Sequence, residues 1–260
     1  MRASERGAGN LGNSGDSVAL AGAARLPSAG KRLLAALWLV VLLFTVGMLA
    51  ADWPRYWVYV AAETTPQAWL ESVLLVLAAA VAALNAVVAS LEKGSARLSG
   101  GRGLSGWIAR HAAWGWTITA AAFAWLALDE RFALHERLRD RYLKQTGIRL
   151  LPWMEAGDWL IPLYAVCGLA AVWALWRLLG RGVAARVFFV AGLVVAFCAV
   201  SMDTIDIRSL GKDSERLLQT IEECLETAAM TAFVSAFLSV LTGRLSAWYN
   251  KTSVRRDRQD

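Results

Sequence analysis

Carboxylates carry most of the chemical information in this sequence. Of 21 acidic residues, 16 lie in segments that share one side of the topology derived below, leaving Glu5, Asp16, Glu92, Asp257 and Asp260 for the other. They gather where apolar runs begin or end. Asp52 closes the first run, Glu71 opens the second, and Asp129, Glu130 and Glu136 follow the third. Asp158 opens the fourth, Asp203 and Asp206 close the fifth, and Glu222, Glu223 and Glu226 open the sixth. A carboxylate at membrane depth is costly unless it faces a bundle interior or a water cavity and is paired, protonated or bound to a cation. Length brings one group to that depth. The uninterrupted apolar part of the sixth run, Thr227 to Leu241, rises about 22 Å as a helix, against ~30 Å of hydrocarbon. Its missing turn must come from Glu222 to Glu226, and the same reasoning pulls Asp203 and Asp129 into the ends of their helices.

Helical spacing gives some of these groups a common face. Glu222 and Glu226 differ by about 40° around a helix, and Asp129 and Glu136 by about 20° after two turns, while His135 lies off that face. Glu222, Glu226, Asp129 and Glu136 are therefore the expected nearest ligands of a divalent metal ion, with His135, Glu130, Asp203 and Glu71 next. Carboxylates with one imidazole suit Mn, Fe or Zn, and carboxylates with water suit Ca or Mg, so the set does not select one ion. The double Glu-x-x-His pattern of soluble di-metal bundles is absent, since His135 is the only histidine of the region. An ion there would acidify a bound water, and a free Glu would act as base in hydrolysis or oxidation of a lipid-like or periplasmic substrate. Nothing in the sequence identifies catalytic residues, and whether the chain is an enzyme stays open.

Two other readings use the same residues. In a cation- or proton-coupled transporter or channel the acids form a vestibule and Asn85, within the second run, is a deeper relay. In a structural membrane subunit Arg131, Arg137, Arg139 and Arg141 pair the acids locally, and Asp158, Glu222 and Glu223 meet the positive ends of helix dipoles. Depth separates them. Apart from Asn85 the mid-membrane positions read as small or apolar, which favours a one-sided site.

The elements that position these residues follow from composition. The chain has 260 residues, 57% of them hydrophobic, with thirteen Trp. That balance predicts an all-α polytopic membrane protein, a bundle of six transmembrane helices. The runs are Leu33 to Ala51, Ala68 to Leu91, Ala112 to Leu128, Trp159 to Trp176, Val187 to Met202 and Thr220 to Leu241, separated by Gly/Ser turns. Residues 1–30 read as a disordered cytoplasmic tail, 31–245 as the transmembrane domain and 246–260 as a basic cytoplasmic tail. Of 27 Lys and Arg, 17 fall in the two tails and the second and fourth loops, which places those segments in the cytoplasm of a bacterium-like cell and the chain in its inner membrane.

The net charge of +6 is spread over short loops. It marks topology, not nucleic-acid binding. Cys167, Cys198 and Cys224 have neither disulfide nor zinc spacing. The bilayer is the expected partner, with a second copy or another membrane subunit left open. The Glu222-Glu223 pair is similar to the double glutamate of intramembrane CAAX-type proteases, but Thr227 stands where that motif needs Arg. Ceramidase-like membrane hydrolases are excluded because two histidines cannot supply their zinc site.

Overall fold

The computed structural model describes the backbone of residues 13–61, 64–98, 104–148, 160–203 and 211–256. Seven α-helices account for most of it: α1 Asn13–Ala50, α2 Pro66–Leu98, α3 Leu104–Phe132, α4 Leu134–Leu138, α5 Leu160–Leu178, α6 Val183–Asp203 and α7 Lys212–Arg256. No strand occurs among the described residues. Each of the six apolar runs falls within one of the long helices, save for Ala51 just past α1 and Trp159, which lies outside the described residues. α1 starts at Asn13, inside the segment expected to be a tail. Residues 1–12 and 257–260 lie outside the described residues.

Among the described residues, four helices are long and apolar enough to cross a membrane, over Ser28–Ala50, Pro66–Glu92, Val183–Met202 and Lys212–Asn250. Of the two remaining long helices, α3 has its apolar character diluted by Trp114, Gly115, Trp116, Thr117 and Thr119, and α5 has an apolar stretch over Val166–Leu178 among its described side chains. Large apolar side chains also cover the outside of the bundle, among them Leu39, Val40 and Leu43 of α1 and Val187, Val194 and Phe197 of α6. In water such a surface would be a liability.

The core lies where α2, α3, α6 and α7 meet, with α1 against α7. Small residues let these helices approach closely, chiefly Ala78, Ala82, Ala86 and Ala89 of α2 and Ala229, Ala232 and Ala236 of α7, all buried. Aromatic edges fill what remains. Phe237 meets Trp116 at 5.4 Å and Phe123 at 5.1 Å, both nearly perpendicular, and Phe233 meets Phe123 and Phe189 at 6.0 Å. Gly192 sits under Phe233, where a Cβ would come within 3.1 Å of the ring.

A polar clasp ties this end of the core together. Asn85 Nδ2 donates to the Phe237 carbonyl across the α2–α7 seam, and Arg244 donates to the Asn85 carbonyl, each at 3.1 Å. Asn85 therefore bonds between helices. At the opposite end α3 stops at Phe132, because Ala133 adopts a positive φ of 45° that no continuing α-helix contains. α4, a π turn at Arg139–Leu143 and a 3-10 turn at Lys144–Thr146 follow, closing on Gly147 in the left-handed region.

Candidate functional site

The ends of α2 and α3 and an interior stretch of α7 converge beside the break in α3. Glu71 projects from the early turns of α2, Glu130 from the last turn of α3 and Glu226 from the middle of α7. One carboxylate oxygen from each lies within 4.8 Å of the other two. Glu71 is fully buried, and Glu130 and Glu226 are half-buried. Glu223, one turn before Thr227, lies close enough to Glu71 to act on it through its charge. Glu222 lies close enough to act on Glu223 through its charge.

Glu71 is fixed by a chain of polar contacts that joins three helices. Thr227 donates its hydroxyl to Glu71 Oε1 at 2.6 Å. Gln67, one turn before Glu71 on α2, donates Nε2 to the Thr227 hydroxyl of α7 and at 3.2 Å to the Thr45 hydroxyl of α1. The other Glu71 oxygen, Oε2, is buried and accepts no hydrogen bond from a protein donor. Among the described residues no Lys, Arg or His makes an ion pair with Glu71. An isolated buried carboxylate costs several kcal/mol, and acids nearby raise that cost. Such a group must hold a proton or a cation.

The three oxygens suit a single ion. A point equidistant from atoms separated by at most 4.8 Å lies within about 2.8 Å of each, against calcium–oxygen distances of about 2.3–2.6 Å. An inward shift of a few tenths of an ångström closes the difference. Because the donors described are all carboxylate oxygen, they fit a hard cation such as Ca, Mg or Mn better than Zn.

Of the residues singled out from sequence, the structure thus brings Glu71, Glu130 and Glu226 together, with Glu222 on the flank. Asp129 is buried in the same last turn of α3 but does not belong to the trio. The continuous helix on which a common face for Asp129 and Glu136 was expected is interrupted at Ala133. The side chains of His135, Glu136 and Asp203 lie outside the described residues, as does Asp158 altogether. The helix-dipole account of Glu222 and Glu223 also fails. α7 begins at Lys212, roughly three turns earlier, whereas the dipole acts within the first turn. Local pairing does hold in the loop: Lys144 at 2.9 Å and Arg139 at 3.2 Å keep the exposed Asp140 carboxyl below the usual range.

Gln67 and Thr227 were not expected at the site, and Glu223 was expected as a helix-terminal acid and not as a ligand. A signal for two of them exists in the regular spacing Glu223, Thr227, Thr231, Ser235, Ser239, which draws a polar stripe along α7.

Residues 32–241 match a family described as a domain of unknown function, DUF8692. The chain belongs to that family. The match spans from the apolar part of α1 to the end of the core on α7, so the DUF8692 domain contains all of the carboxylates described above. No curated protein and no solved structure matches the chain.

Proposed function

We propose that this DUF8692 protein is a multi-pass inner-membrane protein that binds a divalent cation at Glu71, Glu130 and Glu226, with Glu223 beside them. The observation that carries this reading is the fully buried Glu71 carboxylate, which among the described residues has one oxygen without a donor, no basic partner and two further carboxylates within 4.8 Å. The oxygen-only donor set favours Ca, Mg or Mn. In the full topology α3 and α5 also cross the bilayer, giving six spans with both tails in the cytoplasm and the acids near the outer face. Basic loops alternating with acidic ones support that arrangement.

A one-sided cation site fits the chain better than a path through it. The buried hydroxyls of Thr231 and Ser235 continue inward from Thr227, yet each donates at 2.8 Å to a carbonyl of its own helix, and Ser235 also accepts from Trp38. Asn85 donates its Nδ2 within the α2–α7 clasp and not toward the acids.

Metal content of the detergent-purified protein tests the reading. Wild type is expected to retain a divalent ion by mass spectrometry, and Glu71→Gln with Glu226→Gln is expected to lose it and still melt cooperatively. An ion held equally by both proteins, or by neither after reloading, would overturn the assignment.

A further inference from the structure

The pair of helices α5 and α6 carries a positive charge that its own residues do not balance. Between Asp158 and Asp203 the sequence has no acidic residue, and its basic residues are Arg177, Arg181 and Arg186, gathered about the turn through Gly180 and Gly182. Among the described residues none of the three makes an ion pair. Arg55 and Arg216 differ, since each holds an aspartate three residues away, Asp52 at 2.8 Å and Asp213 at 3.5 Å.

Packing decides where these charges point. Leu175 and Leu179 are buried in the core with Ala185 and Phe189 of α6. Trp173 and Arg177 each stand two residues from Leu175, about 160° around the helix from it, so both face away from the core. There the Arg177 guanidinium lies over the Trp173 ring, 3.9 Å from its centre, and the Arg186 guanidinium lies over the Trp176 ring at 4.7 Å. Stacking occupies one face of each guanidinium and leaves its N–H edge, which matches a phosphate in a two-pronged contact. Among the described residues the Arg186 side chain donates to no protein acceptor, and its Nε is buried without one. Below the cations the surface turns apolar. Val166, Leu169, Trp173 and Arg177 follow one face of α5, and the first three are exposed. From Val166 to Arg177 the helix rises about 16 Å, roughly the hydrocarbon depth of one leaflet. A soluble anion would use the arginines and leave that stripe unmatched, whereas a phospholipid uses both. A zwitterionic head group also brings an ammonium that three unbalanced arginines repel, and an anionic one does not.

We propose that the exposed side of α5 and α6 binds an anionic phospholipid of the leaflet at that end of the bundle. Its phosphate is held by Arg177, Arg181 and Arg186, and an acyl chain lies along Val166 and Leu169. This rests on the membrane placement proposed above, that of α5 included, and on none of the carboxylates.

The test is native mass spectrometry of the full chain, stripped of lipid in detergent and offered phosphatidylglycerol and phosphatidylcholine with the same acyl chains. Each arginine beside an anionic head group contributes roughly fivefold in affinity. Wild type is therefore expected to retain phosphatidylglycerol in preference. Arg177→Gln with Arg186→Gln should lose about twentyfold in affinity for it and bind phosphatidylcholine as before. Because the Arg186 Nε is buried, Arg177→Gln with Arg181→Gln is a second pair, both residues being exposed, and the same loss is expected. Arg55→Gln with Arg216→Gln removes as much charge at the opposite end of the bundle and should leave the preference intact. Inorganic phosphate and the deacylated head group glycerophosphoglycerol, in millimolar excess, should not displace the lipid, since neither covers the apolar stripe. Displacement by either, equal retention of the two lipids by wild type, or a preference that survives both arginine pairs overturns the proposal. So does an equal loss in the Arg55 and Arg216 variant, since net charge alone would then set the preference. Glu71→Gln with Glu226→Gln should keep the preference whatever becomes of its ion, which separates this site from the cation site. A chain found in the soluble fraction without detergent contradicts the membrane placement, and a detergent-requiring chain without the preference contradicts the lipid site alone.

Discussion

At the residue scale, Thr227 is the hinge of the site's energetics, because one hydroxyl serves both Glu71 and Gln67. Thr227→Val keeps the shape of the side chain but leaves Glu71 with two unserved oxygens and Gln67 with a single acceptor at Thr45. A buried group stripped of its partner costs about 1–3 kcal/mol, so the variant should melt at lower temperature in detergent than wild type. Thr227→Ser should restore most of the loss; a Val variant as stable as wild type would show that the hydroxyl is not part of a buried network. Glu226 was legible in the sequence from bilayer length, since α7 lacks enough apolar residues to cross without Glu222 to Glu226, while Glu71 and Glu130 were legible only as acids at the ends of apolar runs. Gln67 was not. Its role depends on which face of α2 meets α7, and a single polar residue at the start of a helix carries no record of its partner.

At the element scale, α6 depends on Gly192 for its approach to α7. A Cβ there would stand 3.1 Å from Phe233 and 3.3 Å from the Ala229 carbonyl. Gly192→Leu forces the pair apart, at a cost of about 1–3 kcal/mol by the usual measure of overpacking. Thermal denaturation should reveal that loss, whereas Gly47→Leu, with open space around its Cβ position, should be close to neutral. Asn85→Leu removes the bond to Phe237 and should cost about 1 kcal/mol, the ordinary size of an interhelical hydrogen bond in membrane proteins. The helices themselves were readable, since each long apolar run predicted one. Their ends were not. α7 continues for roughly three turns before Glu222 because its amphipathic start, Asp213 to Leu218, is helical without being apolar. α3 ends at Ala133 on a left-handed residue that no Gly or Pro announces. Both misreadings moved acids: the first placed Glu222 and Glu223 at a helix terminus, and the second put Asp129 and Glu136 on a shared face.

At the scale of the whole molecule, the apolar exterior fits a membrane protein, and the proposed orientation rests on the basic loops alone. Reporter fusions after Asp260 and within the turn at Lys144 should give opposite signals, cytoplasmic at the first and external at the second. Matching signals would remove the six-span topology and with it the outward position of the acids. Composition made the membrane class legible, yet the grouping of Glu71, Glu130 and Glu226 required knowing that α2, α3 and α7 are neighbours. That adjacency comes from small-residue faces and aromatic edges, not from the acids it unites. The central claim is that these three carboxylates share one cation, and titration with Mn2+ followed by electron paramagnetic resonance addresses it most directly. Wild type is expected to remove the free-ion signal until one manganese per chain is bound, with added Ca2+ competing. Glu71→Gln is expected to leave the signal of free Mn2+ unchanged over the same range, whereas an identical titration of wild type and variant, or no uptake by wild type, would contradict the account.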